Sequence, residues 1–369
     1  MSRHVDIIII GAGIAGAGIG AHLAKSKSVL ILEMEDRPGY HSTGRSAALF
    51  SMNYGNAPIR KLNKASWDMF NDLDPAYFPH SVLSDRGVLF VATAENRHEL
   101  DHLIEGSSGI DLLSGEQAQE LVPIVNTDVC VEAAFERDAK DLDVAALHQG
   151  WLKAFKHQGG EVVCDAQVNA AERKDGKWYV ETKAGTFTAD VVVDAAGAWA
   201  DEVAQCFGVK PVGLVAKRRS IATLPSSDPE NSHKWPMLLS ASEDWYMKPD
   251  AGSFLVSPAD EDPVPPHDVF VDDMVLAEGL DRFSQATTYE VTHVEGSWAG
   301  LRVFAPDKTP VCGFAEQVEG FFWLAGQGGY GIQTAPALSL LAAKMVLGEE
   351  LPEFADEQLL EVISPSRFK

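Results

Sequence analysis

Positive charge is what this 369-residue chain has least of: 30 Lys and Arg against 54 Asp and Glu give a formal net charge of -24. So acidic a surface repels phosphate backbones and anionic lipid headgroups, so neither nucleic acid nor a membrane surface is an expected partner. Cysteine is scarce as well. Cys130, Cys164, Cys206 and Cys312 form no Cys-x-x-Cys and no paired spacing with histidine, which argues against a zinc site or a redox disulfide. The eleven histidines are read as surface or packing residues, and no metal is expected. No uninterrupted apolar run has the length of a membrane span. Residues 5–24 come nearest, but glycines break them, and neither a basic front region nor a small-residue cleavage site is present. Unpaired thiols without a secretory leader lead to the expectation of a reducing cytoplasm. A hydrophobic content of 46% is ordinary for a globular chain, and the length allows roughly two domains.

Against these absences stands Gly11-Ala12-Gly13-Ile14-Ala15-Gly16, directly behind the apolar stretch Val5 to Ile10. The stretch reads as a central strand buried on both faces, and the glycines as a tight turn that opens a helix onto a pyrophosphate. Gly11 supplies the turn, Gly13 the close approach to phosphate, and Gly16 close packing of helix on strand. A helix over Ala15 to Ala24 and a strand over Ser28 to Leu32 follow. Glu33 then stands where an acid accepts hydrogen bonds from ribose hydroxyls, about 20 residues past the motif. Glycine hexapeptides are common by themselves; the flanking strand, helix, strand and acid make this one a dinucleotide site.

Further along, Ile59, Leu62, Met69 and Leu73 mark one amphipathic helix, and Val144, Leu147, Trp151 and Phe155 another. Strands are expected at 87–93, Glu161 to Cys164, Lys177 to Lys183 and Thr186 to Val193. The last runs into Asp194-Ala195-Ala196-Gly197, where small residues let backbone approach a ligand, so Gly197 joins the cofactor candidates. Residues 215–300 read as β-rich, with strands at Met237 to Ser240, Tyr246 to Lys248 and Phe254 to Val256 and a Pro-rich acidic loop from Pro258 to Asp268. The expected fold is α/β: a Rossmann-type dinucleotide-binding domain made of 1–80, 145–214 and 301–369, with a β-rich (α+β) substrate domain of 81–144 and 215–300.

Gly326-Gln327-Gly328-Gly329-Tyr330-Gly331 matches the glycine fingerprint a second time, but after its helix no second strand and no ribose acid follow. The better reading is a helix, Ile332 to Leu347, whose positive end faces an anionic group. In a flavin enzyme that group is the pyrimidine end of the isoalloxazine, which becomes negative on reduction. One dinucleotide and no separate nicotinamide site point to a flavin reduced directly by a small organic substrate. Arginine suits a planar carboxylate. From the residues alone Arg302 fits a carboxylate clamp or a buried structural ion pair, and Lys217-Arg218-Arg219 a substrate group or a solvated basic turn.

Five ordered stretches carry a family likeness: Gly11 to Gly16, Pro38 to Ala48 (PGYHSTGRSAA), Lys217 to Ser220 (KRRS), Tyr246 to Gly252 (YMKPDAG) and Gln327 to Thr334 (QGGYGIQT). The chain resembles the flavin-dependent D-amino-acid oxidase and dehydrogenase superfamily, which includes glycine and sarcosine oxidases, and within it the bacterial D-arginine dehydrogenases. The resemblance implies a D-amino-acid oxidase-like fold. It implies FAD contacts at Gly11, Gly13, Ala15, Gly16, Glu33, Met34, the loop Ser42, Thr43, Gly44, Arg45, Ser46, Ala47, Ala48 and Leu49, the backbone at Val168, and Gly328, Gly329, Tyr330, Gly331, Ile332 and Gln333. It also implies that Arg219 and Arg302 bind the substrate carboxylate, that Tyr54 and Tyr246 close the pocket, and that the Gly329 carbonyl accepts from the amine.

Departures from the pattern carry expectations of their own. D-arginine dehydrogenases have an acid where this chain has Val88 and a histidine where it has Leu49. Without an acid at 88 a guanidinium would be desolvated with no partner, so an apolar or uncharged substrate side chain is expected, set among Leu49, Phe50, Val88, Met237 and Leu239. Sarcosine oxidases attach flavin to a cysteine where this chain has Gly300, so FAD is expected to be non-covalent. The resemblance implies oxidative deamination of an α-amino acid of D configuration by hydride transfer to flavin, with oxygen, a quinone or an electron-transfer protein as acceptor. Alternatives are a secondary amine, glycine or sarcosine, a 2-hydroxy acid, or a flavoprotein subunit of a larger complex.

Overall fold

The apolar run near the start forms the strand Arg3–Ile10, paired in parallel with Val29–Leu32 on one edge and Gly185–Asp194 on the other. Ile8 and Ile9 have no exposed surface, as a strand covered on both faces requires. A computed structural model describes residues 3–368, so the outermost residues of the expected dinucleotide-binding spans, 1–2 and 369, lie outside the described ones. In spatial order this sheet runs Val168–Lys174, Lys177–Thr182, Gly185–Asp194, Arg3–Ile10, Val29–Leu32, Glu161–Val163. Phe321–Ala325 joins Gly185–Asp194 in parallel and carries Val311–Phe314. Helices Ile14–Leu23, Val144–His157 and Gly331–Leu347 pack together over one face, and Ala57–Asn71 lies against the last.

A second, mixed sheet runs Gly296–Phe304, Val215–Pro225, Ser253–Ser257, Tyr246–Asp250, Met237–Ser240, Val88–Ala92, Glu132–Glu136, Ile110–Ser114. Its one parallel pair among the described strands is Met237–Ser240 with Val88–Ala92. The expected boundary at 300/301 falls inside Gly296–Phe304. That strand leads from the second sheet to the terminal glycine loop: Gly328 N–H donates to the Val303 carbonyl at 2.7 Å. Asp273–Ala286, in the region read as β-rich, is instead a helix capped by Asp272, its Leu276, Gly279 and Phe283 buried at helical spacing. No described helix is long and apolar enough to cross a membrane.

Asp194 ends its strand with no exposed surface. One carboxyl oxygen accepts the Ala196 N–H at 3.1 Å and the other has no partner. Burial pushes its pKa well above the usual carboxylate range. A folded-state pKa above the unfolded one stabilises the protein at pH values below the unfolded pKa, and this stability is lost as pH rises through the folded pKa. Asp194→Asn keeps an acceptor and removes the titration. Its thermal midpoint is expected to exceed the wild type's by a margin that grows between pH 5 and 8, and differential scanning calorimetry across that range checks it.

Candidate functional site

One continuous cavity of about 920 Å³ runs from Gly11 and Gly13 to the second sheet. At its first end, sequence dictates backbone: Gly11 has φ +97°, and a Cβ there would lie 2.6 Å from the Ala195 carbonyl oxygen. Glu33 holds the turn, its carboxylate accepting Ala12 N–H at 2.8 Å and Glu35 N–H at 3.0 Å. Burial raises the Glu33 pKa against the pull of those two N–H groups. His148, which the sequence left as an ordinary packing residue, donates through Nε2 to the Ala12 carbonyl at 2.8 Å. Burial lowers its pKa, so a neutral imidazole suits it there. Helix Ile14–Leu23 has no side chain capping it at Gly13, although the Ile14 N–H reaches Thr43 Oγ1 at 3.0 Å.

The loop that follows lies along the cavity. Ala15, Met34, Ser42, Thr43, Arg45, Ser46, Ala47, Ala48 and Leu49 all line it, as do Val168 and Gly197. Ser42 Oγ donates to the Leu301 carbonyl at 2.6 Å, and Arg45 donates to the Ala299 carbonyl at 3.0 Å while pairing with Asp268. Gly16 and Gly44 stand outside the lining and serve the turns instead: a Cβ at Gly16 would sit 1.9 Å from the Gly11 carbonyl oxygen, and Gly44 N–H closes on the Gly39 carbonyl at 2.8 Å.

The far end is made by the second sheet and the terminal loop. Val215–Pro225 pairs with Gly296–Phe304 so that Lys217 lies opposite Arg302 and Arg219 opposite Gly300, which puts these three cations on one face. Alternation turns Arg218 the other way, to Asp260 at 3.0 Å and Asp262 at 2.8 Å. Arg219 meets Glu261 at 3.1 Å, yet its Nε is buried without a partner. Burial and the charge of Arg302 both lower its pKa. The Arg302 side chain makes no hydrogen bond or ion pair among the described residues. A Cβ on Gly329 would lie 3.1 Å from Arg302 Nη1 and 3.3 Å from the Tyr54 hydroxyl, so these groups converge on one spot. Tyr54 packs on Tyr330, with ring centroids 4.8 Å apart. Tyr246, Gly328, Tyr330, Gly331, Ile332 and Gln333 complete this part of the lining. Helix Gly331–Leu347 opens there without a side-chain cap.

Of the side-chain pocket, Leu49, Val88, Met237 and Leu239 line the cavity, but Phe50 does not. Strand alternation sends Phe50 into the core, against Trp67 and Phe70. Sequence reasoning missed Glu136, Glu243, Glu261 and Lys308, which also line the cavity. The expectation of an acid-free end was argued from Val88 alone, and Glu136 lies directly across from Val88 in the sheet. Only strand pairing brings them together; nothing in their spacing of 48 residues announces it.

The residues present fit a large dinucleotide. Two helices open on the cavity without side-chain caps, glycine backbone allows close approach, and an arginine Nε waits unpartnered at the far end.

Comparison with known proteins gives the family. Residues 6–345 match the model of the FAD dependent oxidoreductase family. Human mitochondrial dimethylglycine dehydrogenase is 22% identical over 94% of this chain, which spans 43% of that protein's length. Glycine oxidase of Bacillus licheniformis is 22% identical, with 94% of each chain covered. Among solved structures, glycine oxidase from Geobacillus kaustophilus has a TM-score of 0.85 at 22% identity over 99% of both chains. L-proline dehydrogenase from P. horikoshii has a TM-score of 0.83 at 20% identity, covering 100% of this chain and 98% of the other. These relatives carry the superfamily, whereas the finer likeness to D-arginine dehydrogenases rests on the residue matches alone. With the fold shared and the match running over most of its length, the chain belongs to the FAD dependent oxidoreductase family.

Proposed function

We propose that this enzyme oxidises an α-amino acid, of D configuration, to the imino acid, which water then hydrolyses to a 2-oxo acid and ammonia. The observation that carries the proposal is the pair Arg219 and Arg302 on one cavity wall, the second with no protein partner and with the Tyr54 hydroxyl and Gly329 beside it. Two guanidinium groups hold a carboxylate; the Tyr54 and Tyr246 hydroxyls close over the substrate, and the Gly329 carbonyl accepts from the amine and orients its lone pair. Bound FAD supplies the acceptor for the hydride that leaves Cα, while the amine must be neutral to release its N–H proton as the C=N bond forms. No side chain stands out as a base, and a water in the site would carry that proton. Leu49, Val88, Met237 and Leu239 favour an apolar or uncharged stem on the substrate. The cofactor would contact Gly11, Glu33, the loop 42–49, Val168, Gly197 and Gly328–Gln333, and the chain would divide into a cofactor unit (1–80, 145–214 and 301–369) and a substrate unit (81–144 and 215–300), the 300/301 boundary cutting strand Gly296–Phe304. The acceptor of the electrons would be oxygen, a quinone or an electron-transfer protein, in a cytoplasmic setting.

A second reading is favoured by the relatives that oxidise glycine and dimethylglycine: a secondary amine or an N-substituted glycine, held by the same arginines. Anaerobic bleaching of the flavin with a panel of D- and L-amino acids, sarcosine, dimethylglycine and 2-hydroxy acids separates the two. Fast bleaching is expected with D-amino acids, and bleaching by N-methylglycines alone would reverse the order. With Gly300 where a tethering cysteine would stand, acid precipitation is expected to leave the yellow colour in the supernatant; a yellow pellet would show a covalent bond.

A further inference from the structure

Glu136 is 4% exposed. It pairs with Val88 on one side and Ile110 on the other, and Val88 in turn pairs with Met237. Cross-strand partners share a face, and Ile110, Glu136, Val88 and Met237 form one row that lines the cavity. The Ser51 hydroxyl lies 3.0 and 2.8 Å from the two carboxyl oxygens, with Asn53 and the Met52–Asn53 backbone close by. These donors are all neutral, so the carboxylate's charge has no cation beside it. No Lys, Arg or His pairs with Glu136 among the described residues. Burial accordingly raises its pKa against the pull of Ser51 and Asn53. Glu99 and Glu243 line the same cavity. Arg60, which lines the same cavity, is spent on the Gly55 and Gly106 carbonyls at 2.9 and 3.0 Å.

We propose that Glu136 is a specificity-determining residue: it receives the nitrogen-bearing end of the substrate side chain, an ammonium or amide N–H donor, while Arg219 and Arg302 hold the carboxylate. This rests on the amino-acid reading and deepens it, since the apolar walls take the stem and Glu136 takes its end. A hydrocarbon end would leave the buried carboxylate without a counter-charge, which is the source of discrimination.

The FAD-loaded protein, titrated by calorimetry with hexanoate, 6-aminohexanoate and the monoamide of hexanedioate, tests this without turnover. A charge-assisted hydrogen bond is worth about 1.5–3 kcal/mol, so the ammonium ligand is expected to bind roughly 10- to 100-fold tighter than hexanoate, with the amide between them. In Glu136→Leu the preference should collapse to about twofold, the residue of nonspecific effects. Glu136→Gln, which keeps an acceptor and the loop contacts, should lose the ammonium preference and keep that for the amide. Equal affinities in the wild type would overturn the proposal. So would a preference that survives Glu136→Leu, or variants that weaken all three ligands in parallel, as a mere anchor for the Ser51–Asn53 loop would do. Should Glu136→Leu not fold, the wild-type series and Glu136→Gln decide. If none of the three carboxylates binds and no amino acid bleaches the flavin, the two-arginine clamp itself has failed, a result distinct from equal binding.

Discussion

Arg302→Ala is expected to lower kcat/KM for the amino-acid substrate by about 10²- to 10³-fold, equivalent to roughly 3–4 kcal/mol, the range for truncating one partner of a buried charge pair. The reason lies in the surroundings. The Arg302 side chain has no hydrogen-bonded or ion-paired partner among the described residues; Glu261 and Glu243 act on it only at a distance, and Arg219 beside it is already engaged with Glu261. Removing Arg302 relieves the repulsion on Arg219 that lowers that residue's pKa, but leaves a single guanidinium to position the carboxylate. The loss should fall mainly on substrate affinity, with FAD content unchanged, because the phosphate-facing turn Gly11–Gly16 lies at the other end of the cavity. Arg302→Lys should recover only part, since an ammonium cannot make two parallel hydrogen bonds. Steady-state kinetics with flavin content measured in parallel checks this. Undiminished kcat/KM in Arg302→Ala would remove the residue from substrate binding.

The other large effect is expected from a single methyl group. In Gly16→Ala the new Cβ would sit 1.9 Å from the Gly11 carbonyl oxygen, and 3.4 Å from Ile9 Cγ2. The obstacle is backbone of the turn that faces the cofactor, and it cannot swing aside as a side chain would. The turn has little freedom to yield, because Glu33 and His148 hold Ala12 from both its N–H and its carbonyl. Overpacking of a rigid site costs about 1–3 kcal/mol, and more where backbone is displaced. Gly16→Ala is therefore expected to purify colourless or nearly so, with a thermal midpoint lowered by roughly 5 °C or more, taking about 2–4 °C per kcal/mol for larger domains. Gly296→Ala is the matched control: a Cβ there meets nothing within 4 Å, and its stability should stay within about 0.5 kcal/mol of the wild type. A yellow Gly16→Ala protein of unchanged midpoint would contradict the role given to this glycine.

Two further chemistries at the cofactor end behave differently with pH. Glu33 has its pKa raised by burial, as Asp194 does. Each therefore stabilises the fold on the acid side of its shifted pKa and withdraws that contribution as pH rises through it. Glu33 differs in being partnered by two N–H groups, so its ionised form is supported where that of Asp194 is not.

Much of the cofactor end was legible in the sequence. A run of Val and Ile followed by glycines at fixed offsets has few structural solutions, because local steric limits, not distant contacts, decide where a chain can turn that tightly. Element boundaries came out close: for strands, Val5 to Ile10 became Arg3–Ile10 and Thr186 to Val193 became Gly185–Asp194, and for the last long helix, Ile332 to Leu347 became Gly331–Leu347. The helix Asp273–Ala286 escaped notice, since a Pro-rich acidic loop before it hid its 3.6-residue pattern. The Phe50 assignment failed by one step of alternation, which depends on which face of a two-residue strand meets the cavity.

What the chain decided by itself is that a dinucleotide sits at its start and that arginines are few enough to matter. What only tertiary structure decided is who stands beside whom. Lys217 and Arg302 are 85 positions apart and face each other; Val88 and Glu136 are 48 apart and do likewise. Pairing register is set by the burial of whole sheet faces, a sum over many residues, so no local pattern carries it. The acid that Val88 seemed to deny to this pocket arrives from the neighbouring strand.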